Sequence, residues 1–110
     1  MTQLEEVEIQ IEVAKSMQAL RDNCILLQNT KAFKDVVEEG YFKEEAARLV
    51  MLKSASLNEA TEAKIDKMIV GIGSFHQYLA LIMQRGADMD ASLADHEKAR
   101  EEILAEEVSE

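Results

Sequence analysis

Two histidines, one cysteine and a dense set of carboxylates are the side chains from which any chemistry would have to be built. The stretch "DMDASLADHE", Asp88 to Glu97, has the acid density of a calcium loop. An EF-hand loop needs glycine at its sixth position and glutamate at its twelfth, and counted from Asp88 these are Leu93 and Ala99. A solvated acidic helical face is expected there instead. His76 and His96 stand in neither an E-x-x-H nor an H-x-x-x-H arrangement, so no carboxylate-bridged metal centre is expected. Cys24 is followed by Ile25, Leu26 and Leu27, which suits a small buried apolar group, and one cysteine makes neither an intramolecular disulfide nor a cysteine zinc site. Ser16, Ser54, Ser56, Ser74, Ser92 and Ser109 have no recognisable base partner in the sequence. The "GIG" of Gly71–Gly73 lacks the third glycine of a dinucleotide fingerprint, whose position is held by His76. No catalytic residue, no metal and no cofactor are expected, and the chain is not expected to be an enzyme.

The charge excludes further classes. Residues 1–30 carry five acids and two bases, residues 31–85 eight of each, and residues 86–110 nine acids and two bases. The net charge of -10 therefore sits at the two ends. Phosphate backbones repel such a chain, so direct nucleic-acid binding is not expected, whereas a protein with a basic surface is a natural partner. Asp95, Glu97, Glu101, Glu102, Glu106 and Glu107 form the candidate acidic interaction surface. The start "MTQLEEVEIQ" has no basic region followed by an apolar run, so no signal peptide is expected. No apolar run approaches the ~20 residues that span a bilayer, so no membrane association is expected.

The elements that must position these residues are helices. Proline is absent, glycine is scarce, and strong helix formers dominate. Leu4, Val7, Ile11, Ala14, Met17, Leu20, Cys24 and Leu27 recur at steps of three and four, with Glu5, Glu6, Glu8, Glu12, Lys15, Arg21 and Asp22 on the outward face. The step of three from Ala14 to Met17 reads as a stammer. Next, "KAFKDVVEEG" predicts a short helix ended at Gly40 by a left-handed terminus, and "YFKEEAARLVMLKSA" predicts another with Phe42, Ala46, Leu49 and Val50 on one side. The capping box "SLNE", Ser56 to Glu59, should open the last helix.

From Ile65 an unbroken alternation of threes and fours runs through Met68, Ile72, Phe75, Leu79, Ile82, Gly86, Met89, Leu93, His96 and Arg100 to Ile103. Its strong part, Ile65, Met68, Ile72, Phe75, Leu79 and Ile82, is the candidate core and interaction seam. Gly71 and Gly73 are expected to admit a close helix or a bend, and Gly86 is a candidate break point.

The expected fold is all-α: an antiparallel pair of long helices, residues 3–28 and 57–106, with two short helices, 31–39 and 41–54, at one end. Residues 1–110 form a single helical domain, and 86–110 an acidic C-terminal helix that overhangs or frays. At 1.5 Å per residue the last helix, ~75 Å, outruns the first, ~39 Å, and the surplus calls for a second copy, so a homo-oligomer is expected.

The blocks "FKDVVEEGYFKEEAARLVML", "IDKMIVGIGSFHQYLALIMQRG" and "DHEKAREEILAEE" resemble a set of small acidic helical proteins of tailed bacteriophages. The shared motifs G-Y-F-x-x-E-A-x-R-L-V and I-G-x-F-x-Q-Y-L are packing motifs, and "LVMLKSASLNEA" departs from the pattern at the turn between helices. The resemblance implies a viral protein of the infected bacterial cytoplasm or the virion that acts in virion assembly as a scaffold-like or minor structural component. The alternative is an acidic inhibitor of a host nucleic-acid enzyme, its carboxylates imitating a phosphate backbone.

Overall fold

The computed structural model describes residues 1–55 and 58–109, and among these every long element is a helix. Helix α1 spans Gln3–Gln28, α2 Lys31–Phe33, a π-helical segment Lys34–Glu45, α3 Ala46–Lys53 and α4 Glu59–Ser109. The fold is the expected all-α pairing of long helices. The chain divides into two compact units, Ile25–Ala80, and Met1–Cys24 with the chain from Leu81 onward.

Helices α1, α2 and α4 start where a side chain can satisfy a first free amide, whereas the π-helical segment and α3 continue directly from the turn before them. The Thr2 hydroxyl accepts from Glu5 N–H at 3.1 Å, and Glu5 and Glu6 place negative charge in the first turn of α1. Thr30 sits in extended backbone (φ -76°, ψ 145°) and serves two helices. Its hydroxyl donates to the Leu27 carbonyl at 2.8 Å and accepts from Phe33 N–H at 3.1 Å. Helix α4 is capped by Asn58, whose Oδ1 accepts from Thr61 N–H at 2.9 Å. The Ser56 half of the expected capping box lies outside the described residues.

The two short helices expected around Gly40 are instead one helical arm, because the chain takes π geometry from Lys34 to Glu45. The residues it turns away from solvent explain why. Phe33 and Leu49 are buried, and Val37, Phe42 and Ala46 are half-buried. The step from Val37 to Phe42 is five residues, which an α-helix cannot hold on one face and a wider turn can. Gly40 is central to this widening. A Cβ there would stand 3.1 Å from the Asp35 carbonyl oxygen, so glycine relieves a crowded turn and does not end a helix.

In the Ile25–Ala80 unit this arm packs on the first half of α4. Leu49, Ile65 and Ile72 are buried together, with Phe42, Ala46 and Ile69 against them. Burying each of the three contributes roughly 1.5–3 kcal/mol. An aromatic cluster extends the contact: Phe42 lies 5.7 Å from Phe75, 5.0 Å from His76 and 6.0 Å from Tyr41, centroid to centroid. Tyr41 also meets Phe75 edge-on at 6.2 Å. Lys53 Nζ reaches Asp66 Oδ1 at 2.6 Å, which raises the Lys53 pKa. Val50, expected inward, is 56% exposed because it follows Leu49 around the helix.

In the other unit, residues 3–24 of α1 run antiparallel to residues 81–109 of α4. Ile11 and Ala14 are buried on α1, and Ile82 and Gly86 on α4. Gln3, Glu6, Val7 and Gln10 face Ala99, Glu102, Ile103 and Glu106 across one groove. The stretch 86–110, expected to overhang or fray, is helical to Ser109 and lies beside α1. The helix also passes through Gly86 without a break.

At Gly86 the two helices approach closely. A Cβ at that position would fall 2.3, 2.6 and 2.7 Å from Cβ, Cγ and Cδ of Arg21. The Arg21 stem lies across the glycine and its head reaches Asp90. Gly71 and Gly73, by contrast, have nothing within 4 Å of a built Cβ, so the close helix expected at these glycines is found at neither.

Candidate interaction surfaces

The inward face of α1 differs from the expected one. Leu4, Val7, Ile11 and Ala14 start a strict heptad that continues through Gln18 and Arg21, all buried or half-buried. Beyond Arg21 the register shifts by a step of three: Cys24 is buried, as expected, and Ile25, the next strict heptad position, is 39% exposed, while Met17, also expected inward, is half-buried beside Gln18. Leu20 and Leu27, expected inward, are each 49% exposed, and Arg21, expected outward, has a side chain only 17% exposed.

The polar seam residues have a partner. Arg21 Nη1 donates to Asp90 Oδ2 at 2.8 Å, Gln18 Nε2 donates to Asp90 Oδ1 at 2.9 Å, and Arg21 Nε donates to Asp22 Oδ1 at 3.0 Å. The hydrogen bond from Arg21, reinforced by that from Gln18, holds the Asp90 carboxyl below its usual range. The same bond to Asp90 raises the Arg21 pKa. This clamp fixes the register of α1 on α4.

The seam proposed on α4 divides. Ile65, Ile72, Leu79 and Ile82 are buried and Phe75 is half-buried, but Met68 is 54% exposed. Met68 instead forms the rim of an apolar groove of about 590 Å³, with Val36, Val37 and Tyr41 beside it and Leu49 and Ile72 beneath. Its charged member, Glu45, is bonded to Arg48, which lowers the Glu45 pKa.

The acidic candidates do not form one surface. Asp95, Glu101, Glu102, Glu106 and Glu107 are exposed, and Glu97 is half-buried. Asp95, Glu102 and Glu106, spaced i, i+7 and i+11, share one side of α4; Glu97 and Glu101, at i and i+4, share another; Glu107 shares neither. Structure brings Glu102 and Glu106 together with Glu6 of α1 around a groove of about 310 Å³. On the other flank Arg100 joins Glu5, Glu8 and Glu12 beside Ile9 and Val13.

One chemical pair escaped the sequence reading. The Ser92 hydroxyl lies 3.2 Å from His96 Nε2. A hydroxyl beside an imidazole is where nucleophilic catalysis begins, but that chemistry also needs a group to orient the base and donors for an oxyanion. This pair is an i, i+4 contact within one helical turn. Among the described residues no group of three or more His, Cys, Asp or Glu could hold a metal ion. Among them, too, no helix is long and apolar enough to cross a membrane.

The residues that sequence reasoning missed are Ile9 and Val13, each about half exposed, which join Leu20 on the outer face of α1. The signal was present: extending the strict heptad from Ala14 to Gln18 and Arg21 leaves these three on the opposite side. No family model, no curated protein and no solved structure matches the chain.

Proposed function

We propose that this chain acts without covalent chemistry, as an interaction protein in the assembly of a tailed-bacteriophage particle, binding copies of itself and a partner with a basic surface. The observation that carries the interaction reading is how much apolar surface is left uncovered. Among the described residues nine apolar side chains are buried while eighteen large ones are exposed, including Leu26 at 68% and Met51 at 70%. Apolar side chains gathered on the faces of helices favour association. The acidic rows of α1 and α4 supply the complementary element, a charged surface that steers a basic partner and weakens with salt. The phage attribution rests on the resemblance of the blocks around Gly40, Phe75 and Glu101. Mass spectrometry of purified particles and of assembly intermediates tests it. The chain should be found in at least one of them, and its absence from both would overturn the attribution.

A second reading is favoured by one observation. Helix α4 stays regular to Ser109, so Glu102 and Glu106 keep a fixed spacing of about 6 Å along the axis, with Glu6 beside them. A rigid row of carboxylates suits a basic nucleic-acid groove. Competition between this chain and DNA for a host nuclease or polymerase, abolished by changing Glu6, Glu102 and Glu106 to glutamine, would favour an inhibitor. Unchanged DNA binding would exclude it.

A further inference from the structure

We draw no further inference here: the strongest candidate, the apolar groove between the π-helical arm and the first half of α4 in the Ile25–Ala80 unit, carries nothing, because nothing in the structure shows what covers it and its charged member, Glu45, is already bonded to Arg48.

Discussion

Replacing Gly86 with alanine separates a glycine that the helix merely tolerates from one that the packing requires. In an unobstructed helix interior the change stabilises by about 1 kcal/mol, since alanine restricts the unfolded chain and favours helix. At Gly86 the new methyl would sit 2.3, 2.6 and 2.7 Å from Cβ, Cγ and Cδ of Arg21, where carbon atoms prefer roughly 3.5–4.0 Å. The nearest of these is the Cβ, which cannot swing away without moving the backbone of α1. Overpacking of this kind costs about 1–3 kcal/mol, and three overlaps of an ångström or so place it at the upper end. The net expectation is a loss of about 2 kcal/mol, or roughly 8–15 °C in Tm for a domain of this size. Gly71→Ala and Gly73→Ala meet open space and should each raise stability by about 0.5–1 kcal/mol. Urea unfolding followed by circular dichroism, at one fixed protein concentration, measures all three. Arg21→Ala should rescue Gly86→Ala only in part, because the Cβ contact survives. If Gly86→Ala proved as stable as Gly71→Ala, the close crossing of α1 and α4 would be wrong.

Leu49, 2% exposed at the centre of the arm's contact with α4, should cost about 2–5 kcal/mol when cut to alanine, while Val50→Ala next to it should change stability by less than about 0.5 kcal/mol. Equal losses at the two positions would mean that the rotation of the arm is misassigned. Asp90 gives a pH signature. Its carboxyl is held below the usual range by Arg21 first and Gln18 second, so its contribution is complete above the ordinary carboxylate pKa of about 4 and fades as pH falls through the lowered value. Thermal melts should therefore show wild type above Asp90→Asn near neutral pH, with the gap closing towards pH 3. A gap independent of pH would separate Asp90 from the clamp.

The helical class and the two long helices were legible because composition and the three-four periodicity act locally. What the sequence concealed has particular causes. On α1 two overlapping stripes compete, and the apolar route through Leu20 looks better than the true inward route through Gln18 and Arg21. Only the partner Asp90, 69 positions away from Arg21, shows that the polar route is satisfied. At Gly40 the usual meaning of glycine after a helical run, a terminus, gives way to a wide turn that the five-residue step from Val37 to Phe42 requires. Gly86 looked like a flaw in the seam because the space it leaves is filled from another helix. Met68 matches the seam by spacing but looks onto a groove. The acidic candidates were read as one surface because they are close in sequence, although helical rotation distributes them to different sides of α4.

The aromatic cluster on the π-helical arm has a practical consequence. The chain contains no tryptophan and two tyrosines, Tyr41 and Tyr78, both within the Ile25–Ala80 unit. Tyr41, ringed by Phe42 and Phe75, is the emitter whose surroundings unfolding would change most; Tyr78 is already 54% exposed. Intrinsic fluorescence is thus a built-in reporter for one half of the molecule, whereas ellipticity at 222 nm averages over both. Superimposable curves from the two signals would mean that the halves melt as a single cooperative body, and displaced curves would give each its own transition without a label or a truncation.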